Sequence, residues 1–231
     1  MNAVSDLTRS WEALPVGTPA ALEEQWGGLA AGGLPCGSAI IDASGNVVAS
    51  GRNRAYDPAG ALETRARYPL QHNRLAHAEL NALAQLPTET DHASLTLWTT
   101  QHPCWMCAAA LAFIGIGRVG FVADDPSDDS PPARIVASRQ GVTYQPLGDP
   151  LWWTMSNVLF LYNSAVREGE HARNLTLNRD RYPELVNLTL DLATLDALGT
   201  AARAGATLPV ALDAHRPDFE RVATSAPQTS P

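Results

Sequence analysis

Two short motifs constrain this chain more than anything else in its 231 residues: His77-Ala78-Glu79 and, further along, Pro103-Cys104-Trp105-Met106-Cys107. Borderline-soft zinc prefers imidazole and thiolate ligands, and a catalytic site needs three protein ligands with one position left for water. His77, Cys104 and Cys107 supply that set. Positions three apart on a helix share a face, so the two cysteines can grip one Zn2+ ion from a single first turn. That turn also aims unpaired N–H groups and its positive dipole end at the thiolates, stabilising them as anions. Pro103 fits beside such a helix start, where a missing N–H is no loss. Two thiolates neutralise the ion formally and weaken it as a Lewis acid, so a nearby base should help it. Glu79, two residues past the histidine at a second helix start, is placed for that role without having to bind the metal.

Rival readings of the same residues exist. A lone Cys-x-x-Cys can be a redox pair, or half of a structural site with four ligands. A thioredoxin-like pair gives no reason for His77 and Glu79. A four-cysteine site lacks its second pair, since only Cys36 remains of three cysteines. A non-catalytic binding protein that keeps zinc for stability is a further alternative, against which Glu79 argues.

The surroundings indicate an α/β chain. Apolar positions Leu22, Trp26 and Leu29 predict a first helix over Thr18–Leu29, closed by a Gly-Gly-Leu-Pro break. Ser38–Asp42 and Val47–Gly51 predict two strands of a hairpin around Ala43-Ser44-Gly45-Asn46. Residues 52–73 are polar and punctuated by Pro and Gly, as in a loop. A helix over 75–86, a strand over Leu95–Thr100, a helix over Cys104–Ile114 and a strand over Val119–Ala123 follow. Asp124–Ala133 reads as a loop, and a fifth strand is expected within Ile135–Pro146. Helices alternating with short apolar strands imply a three-layer α-β-α sandwich with a mixed central sheet of about five strands.

After Pro150 the texture changes. Leu151–Arg167 predicts a helix carrying Trp152, Trp153 and Tyr162, aromatics expected to pack rather than to touch substrate. Tyr182–Ala204 reads as one amphipathic helix with a stripe of Leu185, Leu188, Leu192 and Leu195. Ala223–Pro231 should be a frayed tail. The expected organisation is a catalytic domain over 1–150 and a helical C-terminal extension over 151–231.

Charge narrows the partners. The formal net charge is -8, whereas phosphate backbones are usually held by basic surfaces. This favours a small-molecule substrate over a nucleic acid. No apolar run approaches the roughly 18–20 residues that cross a bilayer, and the first residues lack a signal-peptide pattern. A cytoplasmic, non-membrane protein is the expectation. Cys36 should be buried, His72 and His92 solvated, and Asp124 and Asp125 turn formers.

At the His-Ala-Glu and Pro-Cys-x-x-Cys motifs the chain resembles the cytidine deaminase-like superfamily, whose signature this spacing follows. The resemblance covers roughly residues 20–150, including the hairpin end Gly51-Arg52-Asn53, the run HAELNAL, the approach LWTTQHPCWMC and the exit GIGRVGFVADDP. Histidine at position 77 places it nearest the deoxycytidylate, guanine and tRNA-adenosine deaminase branches. The resemblance implies zinc-dependent hydrolytic deamination of a nucleobase, nucleoside or nucleotide, with Glu79 moving the proton. It implies that Asn53 hydrogen-bonds the substrate, and that backbone at Ala78 and beside Pro103 helps to hold it. A homodimer is expected. The sequence departs from the guanine and tRNA-adenosine branches at His102, where those carry glutamate, and the C-terminal extension matches no assigned relative. A pterin or an antibiotic intermediate stays open as the substrate.

Overall fold

A five-stranded mixed sheet forms the centre of the computed structural model, which describes residues 6–58, 69–124 and 141–226. The strands are β1 (Gly37–Ile41), β2 (Val47–Arg52), β3 (Thr96–Gln101), β4 (Arg118–Ala123) and β5 (Thr143–Pro146), ordered β2-β1-β3-β4-β5. β1 runs antiparallel to both β2 and β3, while β3, β4 and β5 are mutually parallel. The hairpin closes through Asp42, whose Oδ1 accepts from the N–H groups of Ser44 and Asn46, both at 2.9 Å. Gly45 supplies the left-handed turn residue, with φ 85°.

Period-two alternation explains why both sheet faces are buried. Ile40 and Leu97 belong to one apolar cluster, and their neighbours Ala39 and Trp98 to another on the opposite face. Helix α3 (Ala78–Leu83) and helix α4 (Trp105–Ile114) cover the Ile40 face through Ala82, Leu83 and Leu111. Helix α2 (Thr18–Ala30) covers the other; a short α1 (Asp6–Glu12) precedes it in the chain. The expected three-layer sandwich is the observed one.

The docking of α3 depends on Gly51. A Cβ there would stand 2.8 Å from the carbonyl oxygen of Ala78 and from the amide nitrogen of Ala82, so only glycine lets helix and strand approach this far. α3 is shorter than the expected 75–86 because His77 is extended, at φ -74° and ψ 157°, and the chain turns at Ala84 before Pro87.

Helix α5 (Pro150–Glu168) begins on the Asp149 cap, whose Oδ1 accepts from Leu151 and Trp152. It lies beside α2 on the sheet. Trp152, Met155, Val158 and Leu159 share one apolar cluster with Leu22, Leu29, Val122 and Ala123. The side-chain hydroxyl of Ser156 donates to the carbonyl oxygen of Thr100 at 3.1 Å, which ties α5 to the end of β3. Five shorter helices follow: α6 (Arg173–Asn178), α7 (Pro183–Thr194), α8 (Ala197–Arg203), α9 (Leu208–Asp213) and α10 (Arg216–Ala223).

The single helix expected over Tyr182–Ala204 is two. It breaks where Asp196 takes a left-handed conformation, φ 45°, a state tolerated best after glycine by Asn and Asp. Leu185, Leu188 and Leu192 are buried, but Leu195 is 85% exposed and leaves the expected stripe. The corner is held by Tyr162, whose hydroxyl donates to the carbonyl oxygen of Leu192 at 2.9 Å and accepts from the Leu198 N–H at 3.1 Å. The break buries Leu198 instead. Most of the Asp124–Ala133 loop, the first part of Ile135–Pro146, residues 59–68 of the long polar loop and the tail from 227 lie outside the described residues.

Candidate metal centre

α3 and α4 bring their first turns together beside the upper end of β3. His77 occupies the position before α3 and Cys104 the position before α4, both with extended backbone. Cys107 lies one turn into α4 and is buried. The two cysteines therefore share the first turn as expected, with Cys104 just outside the helix rather than inside it. Pro103, immediately before it, is buried too.

The three ligand atoms form a nearly regular triangle. His77 Nδ1 stands 3.6 Å from the sulfur of Cys104 and 3.6 Å from that of Cys107, and the sulfurs are 3.7 Å apart. Zinc bonds of about 2.3 Å to sulfur and about 2.0–2.1 Å to nitrogen, at tetrahedral angles, would set sulfur about 3.8 Å from sulfur and about 3.6 Å from nitrogen. The donor set and its spacing both fit one zinc ion. Among the described residues, these three form the group placed to hold a metal. Cys36, 8% exposed, receives a weak contact from the Thr100 hydroxyl at 3.7 Å and stands apart from the triangle.

The protein's own electrostatics favour a thiolate here. The Cys104 thiol is pulled down to about 4, first by its hydrogen bond from Cys107, with His77 assisting. Cys107 is pushed up by that same bond, by burial and by the charge of Glu79.

Glu79 is 4% exposed and reaches the centre without joining the triangle. Its Oε2 accepts from the Cys107 thiol at 3.3 Å and its Oε1 from the Thr99 hydroxyl at 3.4 Å. Burial raises its carboxyl above the ordinary range, and the neighbouring charge of Cys104 adds to that. A carboxyl group beside a three-ligand triangle can accept and return protons there.

Asn53 lies just past β2, 2% exposed. Its N–H donates to the Cys36 carbonyl oxygen at 2.8 Å, and its Oδ1 accepts from the Ala55 N–H at 3.0 Å. That second bond fixes the amide and leaves Nδ2 as its donor end. Ala78, fully buried, opens α3 directly beside His77.

Sequence reasoning missed the support around Asn53. Residues 52–58 read as polar loop, yet Arg52, Arg54 and Asp57 are all buried. Arg52 Nη1 meets Asp57 Oδ1 at 2.8 Å, and Arg54 Nε lies 3.5 Å from Asp57 Oδ2. Asn81 on α3 donates to the Arg52 carbonyl oxygen at 3.2 Å, tying this corner to the helix that follows His77. The two arginines flanking Asn53 and the aspartate Asp57 are the visible trace, but they do not distinguish a buried ion pair from a solvated loop. His102 is half-buried, its ring edge-on to Phe121 at 4.9 Å and 5.5 Å from the ring of Tyr144.

Residues 18–123 match the model of the cytidine and deoxycytidylate deaminase zinc-binding region. Among curated proteins the chain is similar to a cytosine deaminase of Candida albicans, 30% identical over 106 residues, 45% of this chain. The match spans 61% of that relative's length. Among solved structures it is similar to RibD of Acinetobacter baumannii, with 17% identity, 70% of this chain and 41% of that one covered, and a TM-score of 0.46. It is also similar to a protein solved in complex with 2,6-diaminopurine, with 20% identity, 70% and 89% covered, and a TM-score of 0.48.

Proposed function

Because residues 18–123 match the model of the cytidine and deoxycytidylate deaminase zinc-binding region, we propose that the protein is a hydrolytic deaminase. It replaces an amino group on a small nucleobase-like heterocycle with oxygen and releases ammonia. The observation that carries this reading is Glu79, a buried carboxyl 3.3 Å from the sulfur of Cys107 at a centre fitted for zinc. A purely structural zinc site has no use for it.

Zinc held by His77, Cys104 and Cys107 would activate a water molecule as the nucleophile near neutral pH. Glu79 takes the proton that this water gives up on attacking the amino-bearing carbon, and delivers it to the adjacent ring nitrogen. Glu79 then carries the second proton from the new hydroxyl to the amino group, which departs as ammonia as the carbonyl forms. Thr99, bonded to the other carboxyl oxygen, holds Glu79 in place for both transfers. Asn53 donates through Nδ2 to an acceptor on the ring, its amide oriented by Ala55. Backbone at Ala78 and beside Pro103 completes the binding surface.

The net charge of -8 supports a free small molecule over a folded RNA. Cytosine, which gives the Candida relative its name, is the first compound to try. We read 1–150 as the catalytic unit and the helices from α5 onward as its cover. The α4 sequence WMCAAALAFI is apolar throughout, and Trp105 and Phe113 on its outer side are 47% and 92% exposed. A helix apolar all round is normally covered, which supports a homodimer formed through that side. None of the described helices is long and apolar enough to cross a membrane, and a cytoplasmic location is part of this reading.

An ammonia-release screen of the zinc-loaded protein tests the function. The panel is cytosine, cytidine, deoxycytidylate, adenine, guanine, their nucleosides and pterins. Turnover of a nucleobase compound is expected; turnover of pterins alone would move the substrate outside the nucleobases, and silence across the panel would reject the reading.

A further inference from the structure

Tyr144 belongs to β5, opposite Val119 in the register with β4. It packs against the apolar cluster that includes Leu97, Leu111 and Val119, on the face of the sheet that carries α3 and α4. Its ring lies 5.5 Å from that of His102 at an interplanar angle of 31°. His102 is in turn fixed by its N–H bond to the Ala123 carbonyl oxygen at 2.7 Å, two residues before Cys104. The phenol is thus held by groups that belong to the approach to the metal centre.

The hydroxyl of Tyr144 is buried and makes no hydrogen bond among the described residues. Burial of an unmatched hydroxyl costs the equivalent of roughly tenfold to hundredfold in an equilibrium constant. Core positions that need only a ring are filled more cheaply by phenylalanine. Burial raises the pKa of the hydroxyl, with the charges of Glu79 and Cys107 adding to it, so it stays a donor. A donor that has no acceptor among the described residues, beside a centre built to receive a ring rich in acceptor atoms, has an evident use.

We propose that Tyr144 is a substrate-positioning residue, its hydroxyl donating a hydrogen bond to a carbonyl oxygen or bare ring nitrogen of the bound heterocycle. The proposal rests on the deaminase reading above and adds a second side-chain donor to Asn53, from the opposite edge of the sheet. Two donors reaching from different parts of the sheet fix a planar ring in its own plane, which one donor alone leaves free to rotate.

The test compares Tyr144→Phe with the parent, both as the full zinc-loaded chain. Without ligand the variant should keep its zinc and melt at the parental temperature or above, since no bond of the free protein is removed. On the best substrate of the panel its KM should rise about tenfold or more with kcat within about threefold, the pattern of a lost binding contact. Parental KM would overturn the proposal. So would a ligand-free melting temperature lower by more than about 4 °C, which marks a lost bond worth more than about tenfold in the folding equilibrium. If the parent turns over nothing, the reaction assigned above falls by itself, and Tyr144 is judged by thermal shift with the same compounds. Stabilisation of the parent but not the variant supports the role; equal stabilisation of both, or of neither, rejects it.

Discussion

Glu79 and Cys107 meet at 3.3 Å, carboxyl oxygen to sulfur, although they belong to different helices 28 positions apart. Neither helix could place its residue alone. α3 is seated by its close approach to Gly51, and α4 by burial of Leu111 and Ala112 in the cluster beneath it. The centre is therefore a product of how two first turns are docked on one sheet.

That docking predicts the metal content. The purified protein should carry one equivalent of zinc by metal analysis, and Cys104→Ala or Cys107→Ala should lose most of it. Cys36→Ala should retain it, because Cys36 lies outside the triangle. Full zinc in both ligand variants would remove the site.

At Glu79 the proposed proton transfer can be tested apart from metal binding. Glu79→Gln keeps the shape of the side chain, and Thr99 can still bond it. Zinc content and far-ultraviolet circular dichroism should match the parent. The rate of ammonia release should fall by about 10²–10⁴, the range of general acid–base catalysis. Activity within a few fold of the parent would take Glu79 out of the mechanism.

These two predictions use what was already legible in the sequence. Zinc ligands announce themselves because metal chemistry accepts few residue types at few spacings, and the strands because alternation and turn residues are local. Three features were not legible. Leu195 fits the helical stripe by spacing, but the next residue, Asp196, turns left-handed so that Leu198 can be buried against the Tyr162 corner. Arg54 and Asp57 look solvated because their burial depends on each other and on how β2 meets α3. Tyr144 sits in a stretch whose strand was expected only loosely, and its place beside His102 follows from sheet order, which no local pattern encodes.

The outer side of α4 is where the proposed homodimer can be tested. Phe113 is 92% exposed, so Phe113→Glu costs the isolated chain little. In a dimer formed through that side, the new carboxylate would be buried against its symmetry mate. The parent should elute as a dimer in light-scattering chromatography and the variant as a monomer with its zinc intact. A monomeric parent would dismiss the dimer.

The helices from α5 onward should be indispensable to folding. Trp152, Met155, Val158 and Leu159 are buried among Leu22, Leu29, Val122 and Ala123, so α5 completes the core layer that α2 begins. Removing it would uncover that layer, and each large apolar side chain returned to water forfeits about 1.5–3 kcal/mol. Several such losses exceed the roughly 5–15 kcal/mol by which a native domain is stable. A chain ending at Asp149 is therefore expected to aggregate, or to stay soluble only without a cooperative melting transition. The contrast within the same region is Leu195→Ser, which removes an apolar side chain that is 85% exposed. Its melting temperature should stay within about 2 °C of the parent, as for other surface substitutions worth less than about 0.5 kcal/mol. A soluble, cooperatively melting and active truncation would show instead that α2 and the sheet form a complete core without α5.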